Sequence, residues 1–332
     1  MKTSLQAINK SRRTNSAQHG FTLIELMIAM LIGSFLIIGA ITVYSQSRTN
    51  YRVSESIARL QENARFALSM LEPDFRLVKN WGRHNEPALI TIDPAIVITC
   101  ETGGNDVTAW ALNLAVGIAA TDDNPVAPNP NLPCPPDTAI QPNTDVFVLR
   151  HGTARIMPFA VGQVQLQSNR VSGVLFNDGL MPAGYLVANS TTHNLVIDTY
   201  YIGTGSSLGP TIPSLRRQVL VNGGQIQDQE IMPGVENMQI QFGVDTDADG
   251  NVERYVDSDH AIVTPGSGAF IPTAEMVSVR LWLLLRAERP ENGHNDPGPY
   301  TPLDGNLAQI TPNDQFRRMV VSKTIFLRNA KG

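Results

Sequence analysis

The segment Gly20-Phe21-Thr22-Leu23-Ile24-Glu25-Leu26 begins a long apolar segment near the N-terminus of this 332-residue chain. From residue 26 to residue 47 there is no charged side chain, and Leu, Ile, Met, Ala and Gly dominate. With residues 21–23 added, the stretch is long enough to cross a bilayer as a helix, which needs about 20 residues. The sequence therefore predicts a membrane-spanning helix near its N-terminus.

The polar leader in front of this stretch argues against an ordinary secretory signal. Such a signal has an apolar region of about 7 to 15 residues, followed by a cleavage site of small residues. Here the order is inverted, because a leader with four basic and no acidic residues ends at His19-Gly20 and the apolar stretch follows it. The chain has a net charge of −5, so without the leader it carries −9. An acidic protein of this kind is not expected to bind nucleic acid.

Glu25 is the one charged residue within the first turns of the apolar stretch. A carboxylate inside hydrocarbon costs roughly 2.5 to 3.5 kcal/mol on insertion scales, so it needs a partner or a function. The alternative is a side chain that reaches the membrane interface from a helix end. The residues around Glu25 favour a specific partner.

The motif GFTLIEL resembles the class III signal of type IV prepilins and pseudopilins at every position. The resemblance implies that prepilin peptidase cleaves between Gly20 and Phe21, and that Phe21 becomes the N-methylated N-terminus. It also implies that Glu25 pairs with the Phe21 amine of a neighbouring subunit during assembly. This agrees with elementary electrostatics, because a carboxylate and an ammonium that are each costly alone can together fix the axial register of an apolar bundle.

A second apolar pattern follows the membrane stretch, with alternating spacings of four and three residues along one helical face. Its members are Val53, Ile57, Leu60, Ala64, Ala67 and Leu71. Pro73 predicts the end of the helix. A continuous helix over residues 22–72 would be about 75 Å long at 1.5 Å per residue. We expect the stripe to pack on a globular head; a coiled coil with a partner helix is the alternative.

Beyond Trp81, short β-rich segments alternate with turn clusters of Gly, Pro, Asn and Asp. The predicted strands are residues 88–98, 145–150, 161–166, 195–202, 217–221, 238–244, 276–286 and 319–327. The Pro-rich segment 121–142 predicts an irregular loop. The expected fold class is α+β, with a long N-terminal helix packed on a mainly antiparallel β-sheet head with long loops. The expected divisions are a cleaved leader (1–20), a transmembrane or filament-core half of the helix (21–47), an amphipathic half (48–72) and the head (73–332).

Cys100 and Cys134 are the two cysteines of the chain, and neither belongs to a CxxC motif or a Cys/His cluster. A structural zinc site is therefore not expected. Because the membrane stretch indicates a head outside the cytoplasm, we expect a disulfide between them. The alternative is a pair of free thiols in a reducing cytosol.

Several head segments look like successive stretches of PilW-type minor pilins, among them TDVFVLRH, VENMQIQFGVDTDADG and VSVRLWLLLRAE. The resemblance implies a low-abundance structural subunit near the pilus tip that helps to prime assembly. The implied partners are other minor and major pilins, the inner-membrane assembly platform and a large tip adhesin. The implied location is the inner membrane with a periplasmic head, and then the extracellular pilus. A type II secretion minor pseudopilin, or an adhesive or ligand-binding module on a pilin stalk, are the alternatives.

The head carries none of the common catalytic signatures. There is no GxSxG elbow, no P-loop and no GxGxxG after a strand, so an enzyme is not expected. The six histidines are scattered, without HExxH spacing, and each is expected on the surface or in a loop rather than as a metal ligand. They are His19, His84, His151, His193, His260 and His294.

One segment has the spacing of a calcium-binding loop. Asp245, Asp247, Asp249, Asn251 (by its backbone carbonyl) and Glu253 follow the opening of an EF-hand loop, with Gly250 at its sharp turn. A structural Ca²⁺ is the one cofactor that the sequence suggests. Position 12 of the motif is Val256 instead of Glu, and Asp257 and Asp259 follow it. The alternative is an acidic hairpin turn without an ion.

Overall fold

The computed structural model describes residues 20–123, 129–263, 275–305 and 307–329. The predicted leader, apart from Gly20, and residues 124–128 of the predicted Pro-rich loop lie outside these residues. The chain divides into two compact units, Met1–Ser54 and Glu55–Gly332. The described structure is a long N-terminal helix followed by a β-sheet head, which confirms the α+β fold class.

The first helix, α1, spans Leu23–Leu77. Its first half is long and apolar enough to cross a membrane, and no residue of its most apolar 18 residues is buried. Residues 21–50 are exposed except for the half-buried Gly33. The predicted apolar helix is therefore present, and no residue that the structure describes covers it.

The second half of α1 buries one face in the head. Leu60, Ala64, Ala67 and Leu71 of the predicted stripe are buried, whereas Val53 and Ile57 are half-buried. The four buried residues belong to the same hydrophobic cluster as strands of the head. From Leu60 onward the head, rather than a partner helix, covers the stripe.

The prediction that α1 ends before Pro73 is wrong by one turn. Pro73 lies inside the helix, which continues to Leu77. A proline within a helix removes one backbone hydrogen bond and costs roughly 3 kcal/mol. Burial of a phenylalanine side chain contributes about 1.5 to 3 kcal/mol, and Phe75 is fully buried two residues later. Packing of this last turn therefore offsets the cost of the proline.

The head contains thirteen strands in its described residues, a 3-10 turn at Pro87–Leu89 and a short helix α2 at Thr108–Ala111. The strands are β1 (Ile90–Ile92), β2 (Thr99–Cys100), β3 (Ile118–Thr121), β4 (Val146–Gly152), β5 (Gln165–Ser168), β6 (Gly173–Phe176), β7 (Thr191–Gly203), β8 (Ser214–Val221), β9 (Gln225–Pro233), β10 (Val235–Asp245), β11 (Arg254–Asp257), β12 (Glu275–Arg286) and β13 (Arg318–Phe326).

These strands form two sheets. Nine strands form the first, with the order β1-β6-β5-β7-β8-β9-β2, while β4 pairs with both β7 and β3. Four form the second, with the order β11-β10-β12-β13. Pairing is antiparallel except between β1 and β6 and between β2 and β9. The head is thus mainly antiparallel, as predicted, with two short parallel pairs at its edges.

Sequence patterns located the long strands well and the short ones poorly. The predicted strands at 238–244 and 276–286 correspond to β10 and β12. The prediction at 88–98 is largely wrong, because only three of those residues form a strand, and the prediction at 161–166 begins four residues before β5 and overlaps only its first two residues. Strands β2, β3, β6, β9 and β11 were not predicted, since most are four residues or fewer and give little periodic signal.

A disulfide joins Cys100 and Cys134, as predicted. Both cysteines are buried in a second hydrophobic cluster, which includes Trp81 and Leu166. The loop around Cys134 has no helix or strand from residue 129 to residue 142, which agrees with the predicted irregular loop. Gln218 of β8 binds this loop, because its Nε2 donates a hydrogen bond to Cys134 O at 2.8 Å. The disulfide therefore fixes an irregular segment to the first sheet.

Candidate functional site

The start of α1 places Glu25 in a reciprocal capping arrangement. Glu25 Oε2 accepts hydrogen bonds from Thr22 N at 3.1 Å and Thr22 Oγ1 at 3.0 Å, and Glu25 N donates to Thr22 Oγ1 at 3.3 Å. This is a capping box, in which two side chains satisfy amides at the helix start. Its Thr-x-x-Glu spacing is visible in the sequence, although only a charge partner was expected for Glu25. Glu25 Oε1 accepts no hydrogen bond from a described residue.

The predicted calcium-binding segment forms the loop of the β10–β11 hairpin. Strands flank it, with Val244 paired to Arg254. One carboxylate oxygen from each of Asp245, Asp247, Asp249 and Glu253 lies within 4.8 Å of the others. The structure therefore brings together the four predicted side-chain ligands. The side chain of Asn251, whose predicted ligand atom is its backbone carbonyl, donates through Nδ2 to Asp249 Oδ2 at 2.8 Å.

Backbone amides already hold the loop in this shape. Asp245 is buried, and its two carboxylate oxygens accept from Asp247 N at 3.2 Å, Ala248 N at 2.6 Å and Gly250 N at 2.6 Å. Gly250 has a φ of +93°, a conformation that favours glycine. Glu253 Oε2 accepts from Thr246 N at 2.6 Å. The cluster could bind an ion through its remaining, mostly exposed oxygens.

The departure from the calcium-loop motif at position 12 has a structural reason, and Asp257 does not replace the missing ligand. Val256 replaces the twelfth-position ligand because it is a buried residue of the hydrophobic core on β11. Asp257 accepts a hydrogen bond from Gln241 Nε2 at 2.8 Å, so it faces β10 rather than the loop. The loop therefore lacks a bidentate ligand at its end.

A second acidic cluster, which the sequence did not predict, contains Asp122, Asp123 and Asp145. Burial raises the pKa of Asp122 to about 7, with further contributions from nearby carboxylates, first Asp123 and Asp259. Burial likewise raises the pKa of Asp145 well above its usual range. Spacing along the chain could not reveal this cluster, because Asp145 is 22 residues from its nearest partner in it.

A buried polar network lies beneath the second half of α1. Tyr200 Oη donates a hydrogen bond to Asp74 Oδ2, and Asp198 Oδ2 lies 3.4 Å from Arg217 Nη1. Burial raises the pKa of Asp198 to about 7, although the Arg217 charge opposes this shift. His151 belongs to the same network, with its Nε2 3.8 Å from Asp74 Oδ1.

The expectation that every histidine lies at the surface or in a loop is wrong for two of them. His151 on β4 and His193 on β7 are buried in strands. Each hydrogen-bonds a backbone carbonyl through Nδ1: His151 to Gly152 O at 2.9 Å, and His193 to Thr153 O at 2.6 Å. Burial lowers the pKa of His151, so its neutral form is favoured. His19 lies outside the described residues.

Two family models match this chain. Residues 199–329, from the second half of β7 through β13, match the Type IV Pilus-assembly protein W family, PilW. Residues 15–41, which include Gly20, Phe21 and Glu25, match the prokaryotic N-terminal methylation motif. No curated protein and no solved structure matches the chain. The methylation motif carries the class III signal and so implies processing by prepilin peptidase. Members of the PilW family are typically structural rather than enzymatic, and the match to this family implies partners in pilus assembly. The N-terminal helix therefore carries a methylation motif, and the C-terminal part of the head is similar to the PilW family of type IV pilus-assembly proteins.

Proposed function

We propose that this protein is a minor pilin, a structural subunit that takes part in priming a type IV pilus and lies near its tip. The observation that carries the proposal is the exposed first half of α1, which has no charged residue between positions 26 and 47. Exposed apolar side chains on this scale require a bilayer or neighbouring apolar helices. A membrane anchor that later enters a filament core would be covered first by the bilayer and then by neighbouring apolar helices.

Glu25 would supply the specific contact in that core. Its Oε2 oxygen is held by Thr22, and its Oε1 oxygen accepts no hydrogen bond from a described residue. The carboxylate is thus oriented on the helix and retains one oxygen for a cation. The N-methylated amine of Phe21 on a neighbouring subunit is the cation that we propose, after cleavage between Gly20 and Phe21.

The head would act through its surface rather than through catalysis. Its match to a pilus-assembly family over residues 199–329 supports contacts with other minor and major pilins, with the inner-membrane assembly platform and with a large tip adhesin. The head would lie in the periplasm before assembly and outside the cell afterwards. The match to a pilus-assembly family favours a pilus over a type II secretion pseudopilus, and the adhesive module remains an alternative.

The assembly role is tested with Glu25→Ala in a strain that carries only the variant. We expect normal membrane insertion, because a charge leaves the apolar segment, and a loss of surface pili, because the pairing is lost. Glu55→Ala is the matched control, since Glu55 is an exposed glutamate of α1 that pairs with Arg59 on the same helix. Normal piliation with Glu25→Ala would contradict the role of Glu25.

The position in the filament needs a separate measurement. Immunogold labelling of an epitope on the head should mark one end of each pilus, at low copy number. Labelling along the whole shaft would contradict the tip position. A deletion strain that keeps its pili but loses protein secretion would favour the pseudopilus alternative.

We also propose that the loop from Asp245 to Glu253 binds Ca²⁺ weakly. The convergence of four carboxylates within 4.8 Å supports this, and hard oxygen ligands suit calcium. The absence of a ligand at Val256 favours a dissociation constant of about 10⁻⁴ to 10⁻³ M, as in extracellular modules. Since Asp245 is already held by backbone amides, we expect calcium to stabilise the loop rather than to create it.

The measurement is the melting temperature of the detergent-solubilised full chain in millimolar calcium and in chelator. Calcium should raise it by mass action in the wild type, and less in the variant Asp247→Asn, Asp249→Asn. Equal calcium-induced shifts in the two proteins would mean that this loop is only an acidic turn.

A further inference from the structure

The C-terminal strand β13 forms an open edge of the second sheet. It pairs with β12 on one side, and no strand of the described residues pairs with its other side. The other strands that end a sheet, β1, β2, β3 and β11, have two to four residues, whereas β13 has nine. Short edge strands are one way in which proteins avoid pairing with other chains, and β13 lacks that protection.

The register of β13 with β12 shows which of its backbone groups are unpaired. Leu327 N donates to Val277 O at 2.9 Å directly across the two strands, so the odd-numbered residues of β13 are the ones that hydrogen-bond to β12. The N–H and C=O groups of Val320, Ser322 and Thr324 therefore point away from β12. No described residue forms a hydrogen bond with these backbone groups.

The two charged residues of β13 do not protect this edge. Charged side chains, lysine above all, commonly keep edge strands from pairing. Lys323, however, is paired with Glu72 of α1, with 2.5 Å between Nζ and Oε2. Arg318 is buried and binds the carboxylates of Glu236 and Asp314. Both charges are thus neutralised within the molecule, and neither opposes an incoming strand.

The exposed side chains of β13 also suit a further strand. Val320 is 40% exposed and Phe326 is 67% exposed, and both lie on the same face of the sheet because they are an even number of residues apart. Ser322 and Thr324 lie between them and are exposed and uncharged. β-Branched and aromatic residues are favourable partners across a strand pair. A strand added at this edge would contact these apolar side chains as well as the unpaired backbone groups.

We propose that the open edge of β13 binds an extended segment from the head of a different pilus-assembly subunit, which adds a fifth strand to the second sheet. The edge itself determines this kind of occupant, because an extended backbone presents N–H and C=O groups at the spacing of the unpaired ones. Strand addition follows from β13 alone, whereas the choice of a pilus subunit as the partner rests on the proposed function.

The direction of β13 argues against a second copy of this chain as the partner. Lys323 contacts Glu72, and Asn329 contacts Val78, so β13 runs in the same direction as the second half of α1. Two copies joined antiparallel through β13 would therefore hold these parts of their helices in opposite directions. Subunits that are anchored in one membrane by N-terminal helices share one direction, and a different subunit is free of this conflict.

The test is photo-crosslinking in piliated cells that make the full chain with p-benzoylphenylalanine at position 324, on the open edge. We expect a product that joins this chain to a second protein with an N-terminal methylation motif, identified by mass spectrometry. The same photo-reactive residue at position 254, where Arg254 is exposed on the opposite edge strand β11, is the control and should give at least tenfold less product. Equal yields at the two positions, no product at position 324, or a product made of two copies of this chain would each overturn the proposal.

Two substitutions of Ser322 separate the backbone from the side chain. Ser322→Pro removes an edge N–H without removing a bond to β12, and edge strands tolerate proline at such positions. Ser322→Ala keeps the N–H. Both variants should melt within about 4 °C of the wild type. Cross-linking from position 324 should fall at least tenfold with Ser322→Pro and stay unchanged with Ser322→Ala, and equal yields from the two variants would contradict strand addition.

These outcomes can be told apart from a failure of the proposed function. If Ser322→Pro does not fold, the comparison of positions 324 and 254 in the otherwise unchanged chain decides. If pili are lost with Glu25→Ala but position 324 gives no cross-link, the minor-pilin function stands and strand addition at β13 is wrong.

Discussion

The two halves of α1 bury their apolar residues in different ways. Residues 23–54 expose nearly every side chain, including Phe35 at 68% and Leu36 at 69%. From Leu60 onward the buried residues form a single stripe, and Leu71 and Phe75 are fully inaccessible. One continuous helix therefore has a half whose stability is set by its own head and a half whose environment must come from elsewhere. Substitutions in the two halves should therefore show their effects in different assays, of pilus assembly for the first half and of unfolding for the second.

The largest effect is expected at the start of the first half. Gly20→Val should block cleavage, because a bulky side chain at the residue before the scissile bond denies the peptidase access. Mass spectrometry should then find only full-length protein in the membrane, whereas the wild type in pili should begin at methylated Phe21. An intact leader in wild-type pili would contradict the assignment of the cleavage site.

The contrast between the halves is tested most directly by replacing one leucine in each half with alanine. Leu71→Ala should lower the free energy of unfolding of the head by about 3 to 5 kcal/mol, because it removes a fully buried side chain and leaves a cavity. Leu36→Ala should leave that free energy unchanged but weaken pilus assembly. Denaturant unfolding of both variants in detergent provides the comparison. Equal destabilisation by the two changes would break the distinction between the halves.

The disulfide should stabilise the head without affecting the first half of α1. Cys100 and Cys134 are 34 residues apart, so the chain-entropy model gives about 3 to 4 kcal/mol. We expect Cys100→Ala, Cys134→Ala to unfold at lower denaturant concentration, while its membrane insertion matches the wild type. A reductant should have the same effect on the wild type and none on the variant. Wild-type protein with two thiols open to alkylation in the absence of reductant would contradict the bond.

A smaller effect, in pH dependence, is expected beneath the second half of α1. The pKa of Asp198 is about 7 in the folded protein and about 4 when unfolded, so the folded state binds its proton more tightly. The stability from the protonated form is complete below pH 4 and is lost as the pH rises towards and through 7. The melting temperature in chelator should therefore fall between pH 5 and 8, by a smaller amount in Asp198→Asn. Parallel pH profiles for the variant and the wild type would exclude Asp198 as a source of this dependence.

Signals that are continuous in the sequence predicted the structure best. The uncharged stretch 26–47 and the stripe from Leu60 to Leu71 both correspond to α1, because helix periodicity needs only neighbouring residues. Strand β12 was located almost to the residue, since its twelve residues form a long apolar segment. The end of α1 was misplaced because proline has a local cost, whereas burial of Phe75 depends on strands far along the chain.

The candidate sites likewise differ in whether neighbouring residues alone could predict them. The four carboxylates of the β10–β11 loop lie within nine residues, so their convergence was predictable from spacing alone. The cluster of Asp122, Asp123 and Asp145 depends on the register of β3 with β4, and β3 was not predicted. The burial of His151 and His193 was not predicted for a related reason. Both side chains hydrogen-bond to backbone carbonyls whose positions only the folded sheet determines.

The contact between the two ends of the head also affects the order in which the protein can fold during its synthesis. Lys323 of β13 pairs with Glu72 of α1, and Asn329 Nδ2 donates to Val78 O at 3.2 Å, so each contact spans 251 residues. Because a chain is made from its N-terminus, α1 emerges long before the strands that share its hydrophobic cluster. Leu71 and Phe75 therefore stay uncovered until strands such as β4, whose Phe147 ring lies 5.1 Å from that of Phe75, have been synthesised. During that interval the apolar stripe of the second half is exposed like the apolar surface of the first half, and folding of the head then covers the stripe alone.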